Sequence, residues 1–375
     1  MRILFAFAGG PGHLEPLVPV ADAARAAGHD VAFAGRPAAL ERLAARGLTV
    51  FATEPPRSVP RKRLPLLPVD MQREERDFRD GFADRIAREK AAALPALCAE
   101  WRPNAIVCDE TDFGSMIAAE RLGLPYASVV VIAARSFARP ELVAEPLDAV
   151  RAEHDLPPDP ELEMLSPHLV LAPFPLGYRD PASPLPTNAH AFRPFTAGAA
   201  RLDEPPTVYF TLGTEFNLES GDLFPRVLEG LRELPVEVVV TVGRDIDPAE
   251  LGPQPANVRV EQYIPQAEIL PSASVVVSHG GSGSVLGALA HGLPMVLLPM
   301  GADQPYNASR CEVLGVARSL GVITATPADV RAAVAAVLSD PSYRAAAERW
   351  RDEFAALPGP EHAVGLLEQL VARSS

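Results

Sequence analysis

Two doubly wound α/β domains in series are the fold class this sequence predicts: two Rossmann-like parallel sheets facing across a cleft. Three observations carry it. Short apolar strands alternate with helical patterns from the first residues. The rhythm fails in a proline-rich stretch and restarts at Thr207. A chain of 375 residues, 48% of them hydrophobic, is too long for one simple core and suits two.

The elements follow in order. Ile3 to Ala8 reads as a buried strand, and Leu14 to Ala27 as a helix ending near Gly28. Val31 to Ala34, Leu48 to Ala52, Ala105 to Cys108 and Ala127 to Ile132 are further short strands, with helices such as Ala38 to Arg46 and Phe113 to Leu122 between them. Strands separated by helices imply a parallel sheet covered on both faces. Pro55 to about Ala96 is a long insertion, first proline-rich, then charged and helical over Gln72 to Ala93. Insertions at the ligand end of such domains are usually site loops, so this one is expected to wall the second substrate. From Pro157 to Pro206 periodicity is poor. Strands then recur at Thr207 to Thr211, Val236 to Thr241, Val258 to Val260, Val275 to Ser278 and Met295 to Leu298. The expected organisation is a first domain over 1–194, a linker over 195–206 and a second domain over 207–357. A last helix over 358–375, after the break at Pro358-Gly359-Pro360, is free to return to the first domain.

Composition narrows the function. A net charge of −14 with no basic stripe disfavours nucleic acid as a partner. The one basic cluster, Arg61-Lys62-Arg63, lies among prolines and reads as a solvated loop. Cys98, Cys108 and Cys311 are odd in number and widely spaced, which suits neither a disulfide framework nor a zinc cluster. No secretory pattern precedes the first strand and no apolar run is long enough to span a bilayer, so a cytoplasmic protein is expected, as monomer or homodimer. Asn307-Ala308-Ser309 fits a glycosylation sequon, which carries no weight without secretion.

The most informative segment is Val275 to Pro299. A β-branched run stops at Ser278-His279; Gly280, Gly281, Ser282 and Gly283 follow, and an apolar helix begins. A glycine-rich turn opening a helix is an anion site, because unpaired N–H groups converge there and small residues let an oxyanion approach. His279 at its lip can add a donor or a positive charge. The next strand opens into Gly301-Ala302-Asp303-Gln304, a carboxylate beside an amide, suited to hydroxyl groups. A phosphate cradle beside a hydroxyl-binding pair suggests a ligand with phosphate at one end and sugar at the other.

Other strand ends add candidates. The first strand runs into Gly9-Gly10-Pro11-Gly12-His13, which is not the G-x-G-x-x-G fingerprint, and Arg36 stands where a ribose-binding acid belongs. His13 is read as the start of a helix, whose positive end would keep it neutral and able to accept a proton; a capping or packing histidine is the alternative. A carboxylate would fix its tautomer. Asp109 at the end of Ala105 to Cys108 is preferred over Asp112, which reads as the N-cap before Phe113, and Glu110 should point away. Gly213-Thr214 closes the first strand of the second domain, either as a phosphate contact or as an ordinary turn. Tyr263, Ile264, Pro265 and Gln266 form either a shelf for a flat base or packing. Asp245-Ile246-Asp247 is a D-x-D triplet in a polar turn away from the phosphate loop and is read as solvated, with no metal.

From Val260 to Gly315 the chain resembles the donor-binding signature of the family-one inverting glycosyltransferases with two Rossmann-like domains (the GT-B fold), and GGPGHLEP resembles that family's base loop. The resemblance spans nearly the whole chain and points to the natural-product (antibiotic and polyketide) glycosyltransferases of actinobacterial type. It implies His13 as base, oriented by Asp109, beside an acceptor-side loop of Gly10, Pro11 and Gly12. It implies that His279, Gly281, Ser282 and Gly283 hold a diphosphate and that Asp303 and Gln304, with Asn307 one turn on, hold sugar hydroxyls. The donor would be a dTDP- or UDP-sugar, the acceptor a small hydrophobic aglycone, with no cofactor. Tyr263 replaces the tryptophan usual at the base-stacking position. A nucleotide-sugar epimerase and a non-catalytic nucleotide-sugar-binding subunit are the rival expectations.

Overall fold

The computed structural model describes residues 1–54, 63–166, 168–195, 198–200 and 204–374. The described chain is α/β and divides into two units. One takes in Met1–Ser58, Gln72–Phe195 and Leu357–Ser375, the other Val59–Met71 and Thr196–Ala356. Arg61 and Lys62 of the basic cluster, and residues 196, 197 and 201–203 of the expected linker, lie outside the described residues.

In the first unit β1 (Arg2–Ala6), β2 (Asp30–Gly35), β3 (Thr49–Ala52), β4 (Ala105–Asp109), β5 (Tyr126–Val129), β6 (Leu169–Ala172) and β7 (Ala189–Ala191) form one parallel sheet in the order β3-β2-β1-β4-β5-β6-β7. Helices α1 (Pro11–Leu14), α2 (Val18–Ala26), α3 (Pro37–Ala45), α4 (Met71–Asp77), α5 (Ala87–Trp101), α6 (Phe113–Leu122) and α7 (Pro140–Glu153) connect them. Ile3, Phe5 and Phe33 alternate along the strands into one core with Val107 and Leu171. β6 and β7 lie inside the stretch that the sequence showed only as proline-rich. Each is short, and the prolines around them hide the period.

The second unit repeats the design. β8 (Thr207–Thr211), β9 (Glu237–Thr241), β10 (Val258–Glu261), β11 (Val275–Ser278), β12 (Met295–Leu297) and β13 (Ala317–Ser319) pair in parallel as β10-β9-β8-β11-β12-β13. Its helices are α8 (Leu223–Leu231), α9 (Gln266–Ile269), α10 (Ser282–Ala290), α11 (Gln304–Val313), α12 (Pro327–Ser339) and α13 (Pro341–Ala356). The last helix, α14 (Pro360–Ser374), belongs to the first unit, where Ala363, Val364 and Leu367 join the core beside α2.

Three local differences from the sequence reading have physical causes. The helix expected over Leu14 to Ala27 is two helices, because Pro16 and Pro19 have no N–H to give the carbonyls of Gly12 and Glu15. The helical part of the insertion contains a nine-residue π-helix, Phe78–Ile86, which carries Phe82. The insertion is also divided: Leu64 N–H donates to Leu218 O (2.8 Å) and Leu66 packs on the second unit's core, whereas Gln72 onward belongs to the first.

Candidate active site

In both sheets the strand order reverses beside the first strand of the unit, at β1/β4 and at β8/β11. Open parallel sheets bind ligands at the carboxyl ends of such a pair. His13 and Asp109 lie at the first of these places and His279 with its glycine turn at the second, while Tyr263 and Ile264 follow the edge strand β10.

On the first unit, the parallel register places Ala6 opposite Cys108, so the chain leaving β1 meets Asp109. Asp109 is fully buried. Its Oδ2 accepts from Ala8 N (2.6 Å), and its Oδ1 from Thr111 N (2.8 Å) and Thr111 Oγ1 (2.5 Å). His13 Nδ1 lies 3.3 Å from Oδ1 and 3.1 Å from Thr111 Oγ1, with the histidine side chain 21% exposed. Burial alone would raise the Asp109 pKa. The His13 charge and the hydrogen bonds from His13, Thr111 and Ala8 outweigh it and hold the carboxyl below its ordinary range. His13 is the third residue of α1, a single turn, so it stands at a helix start as expected, and the charged group in contact with its ring is Asp109.

The neighbouring carboxylates are spent elsewhere. Glu110 accepts from the N–H groups of Val131 (2.8 Å) and Ile132 (2.6 Å). Asp112 caps α6 through Ser115 N (3.1 Å) and pairs with Lys90 Nζ (2.5 Å), both side chains fully buried; Lys90 also donates to Phe7 O (2.6 Å), just past β1. Phe82, from the π-helix, stacks on the His13 ring with centroids 5.3 Å apart, and Phe78 and Phe137 continue the stack. Gly10 is the N-cap of α1, Pro11 its first residue, and Gly12 lies within the turn.

On the second unit, His279 follows β11 and its ring fills a slot between two glycines. A Cβ on Gly213, which has φ +73°, would lie 2.6 Å from its Cε1, and one on Gly281 would lie 2.6 Å from its Nε2. Any side chain at either position would displace the imidazole. Burial pushes the His279 pKa down to about 4. The ring is therefore neutral in this structure, with one nitrogen as donor and the other as acceptor, so of the two expected contributions the donor is the one available without a bound anion. Its Nδ1 is buried without a hydrogen-bond partner. An orphan N–H costs more than an orphan lone pair, which assigns the proton to Nε2, the nitrogen beside Gly281.

α10 begins at Ser282 with Gly281 as N-cap, so no side chain caps its first turn. Ser282 Oγ donates to Asp303 Oδ2 (2.6 Å). Asn307 is fully buried. Its amide donates to Gly280 O (3.0 Å), Ser282 Oγ (3.1 Å) and Asp303 Oδ2 (2.8 Å), so it ties α11 to the glycine turn and presents no face to a ligand. Gln304 is buried too; its Oε1 accepts from Met300 N (2.7 Å) and Gly301 N (3.3 Å). Of the three, Asp303 is the half-buried one. Thr214 is exposed at the turn after β8. Tyr263 is 42% exposed after β10, and the guanidinium of Arg244, after β9, lies 4.0 Å over its ring. Ile264 is half-buried beside it, and Gln266 donates to Ser284 Oγ (3.2 Å). In the D-x-D triplet Ile246 is buried and Asp247 caps the turn Pro248–Leu251.

Residues 225–370 match a family model described as Erythromycin biosynthesis protein CIII-like, C-terminal domain. The chain is 28% identical to the TDP-daunosamine transferase DnrS of Streptomyces peucetius, over 100% of this chain and 97% of that one. It is 31% identical to 4'-demethylrebeccamycin synthase of Lentzea aerocolonigenes, over 99% of each. The chain belongs to the GT-B antibiotic glycosyltransferases. Among solved structures this glycosyltransferase is similar to the spinosyn rhamnosyltransferase SpnG complexed with spinosyn aglycone, with a TM-score of 0.80 and 26% identity over 98% of this chain and 100% of that one.

Sequence reasoning missed four side chains around these glycosyltransferase half-sites. Thr111 was signalled by its place two residues after a strand-end aspartate, where its hydroxyl and N–H reach back to the carboxylate. Arg244 was passed over as part of the D-x-D turn. Phe82 and Lys90 had no local signal, since only the packing of the insertion places them.

Proposed function

We propose that this glycosyltransferase moves a sugar from a dTDP or UDP donor to a hydroxyl of a small hydrophobic natural-product aglycone by one inverting displacement. His13 Nε2 takes the hydroxyl proton as the oxygen attacks the anomeric carbon. Asp109 stays ionised and, from the Nδ1 side of the ring, stabilises the imidazolium that forms when Nε2 takes the proton. On the second unit the leaving diphosphate is met by His279 Nε2–H, the first turn of α10 and Thr214. Fixed dipoles aimed at growing charge are usually a large catalytic term. Asp303, with Gln304, holds sugar hydroxyls, and Tyr263 with Ile264 holds the base. The proposed reaction uses no metal and no cofactor. The naming of DnrS for a TDP-sugar and the aglycone bound to SpnG support the choice of donor and acceptor class. The protein is proposed to work in the cytoplasm, as monomer or homodimer, without nucleic acid.

The observation that carries the mechanism is the His13–Asp109 contact at the β1/β4 switch point. A positioned base contributes roughly 10²–10⁴-fold. His13→Ala is therefore expected to lower transfer by about that factor and to leave donor affinity, read by calorimetric titration, within about twofold. Undiminished turnover in this variant would remove His13 from the role.

A further inference from the structure

We propose that Thr111 is a positioning residue that sets the tautomer of His13, an inference that rests on the reading of His13 as base. Asp109 is ionised, so it can only accept. Thr111 Oγ1 at 2.5 Å from Oδ1 must then be the donor in that contact. A hydroxyl has one hydrogen, and this one is spent on Asp109. What remains on Oγ1 is a lone pair, so the 3.1 Å contact between Oγ1 and His13 Nδ1 requires the hydrogen to be on Nδ1. This contact is shorter than the direct one of 3.3 Å from Nδ1 to Asp109 Oδ1.

The result is an ordered chain in which His13 Nδ1–H donates to Thr111 Oγ1 and Thr111 O–H donates to Asp109. The ring's lone pair is left on Nε2, where an acceptor proton would arrive. No atom of the chain changes hands in the reaction: Nδ1 keeps its hydrogen, Thr111 keeps its own, and the incoming proton stays on Nε2. Thr111 is itself buried and its N–H donates to the same Asp109 oxygen (2.8 Å). The backbone N–H and the hydroxyl of Thr111 are thus both anchored on one oxygen of Asp109.

The test compares Thr111→Val, which keeps the shape and removes the hydroxyl, with Thr111→Ser, which keeps the hydroxyl. If Thr111→Val does not fold, Thr111→Ala takes its place. Imidazole ¹⁵N NMR of His13 in the intact enzyme reads the tautomer, and steady-state kinetics read kcat and both KM values. Loss of the hydroxyl is expected to lower the Nδ1–H population and to cut kcat by about 10-fold with KM within about twofold, part of the roughly 10²–10⁴-fold that a base supplies. Thr111→Ser is expected to restore both readings. An unchanged tautomer in Thr111→Val overturns the assignment, even with kcat lowered, and so does a Thr111→Ser variant as impaired as Thr111→Val. The NMR reading needs no turnover. An active His13→Ala enzyme would sink the base while leaving the tautomer result to be judged by itself.

Discussion

His279 and His13 are both strand-end histidines, yet their surroundings give them opposite electrostatics. His13 faces an ionised carboxylate, whereas His279 faces two glycines and the inside of a slot. The consequence for His279 can be measured. Its pKa is about 4 in the folded chain against an ordinary value of 6.5. Between those values the unfolded chain binds a proton that the folded one does not, so this histidine makes stability rise with pH across that window. The contribution is absent as a penalty above pH 6.5 and fully a penalty below pH 4, on the order of 3 kcal/mol. His279→Gln should therefore lose less stability than the parent as pH falls from 7 to 4, as read by denaturant titration at a series of pH values. Parallel pH dependence in the two proteins would contradict the buried neutral ring.

At the scale of elements, the dyad depends on how α5 and α6 are fastened below it. Only two of the chain's 34 basic side chains other than histidine are lysines, and Lys90 is one of them, fully buried on α5 between Asp112 and Phe7 O. A compact ammonium satisfies both partners, where a planar guanidinium fork would need more room. Removing one member of a buried pair leaves the other charge uncompensated, at about 3–5 kcal/mol. Lys90→Met should destabilise the first unit by that order in chemical denaturation, and adding Asp112→Asn should recover part of the loss. A double variant no more stable than the single one would show that the charge of Asp112 is not the cause. The π-helix is the other element with a direct bearing on the site, because it carries Phe82, which stacks on His13, and Phe78, which stacks on Phe137.

For the whole molecule, the chain builds two units with separate cores from one alternating pattern, and α14 completes the first unit after the second has been built. No helix among the described residues is long and apolar enough to cross a membrane. Truncation after residue 357 removes Ala363, Val364 and Leu367 from the first core. The expected effect in calorimetry is a Tm lower by roughly 10 °C for that unit, given the usual cost of lost apolar burial. The nucleoside diphosphate binding proposed for the second unit should persist. An unchanged first transition would mean that α14 contributes little to the core.

The sequence by itself determined the α/β class, the doubling of the sheet, and the turns that carry His13, Asp109, His279 and Asp303. Each of these follows from local rules: apolar period, glycine at a turn, and chemistry at the carboxyl ends of parallel strands. It did not reveal β6 and β7, where prolines mask the period, nor the split of the first helix. Tertiary structure alone decided which strand ends become neighbours. The register of β1 on β4 sets His13 against Asp109 and Thr111, which lie about a hundred residues further along the chain. Packing alone decided that His279 is neutral and that Asn307 is a brace, because desolvation and hydrogen-bond saturation depend on everything that surrounds a group and not on its neighbours in the chain.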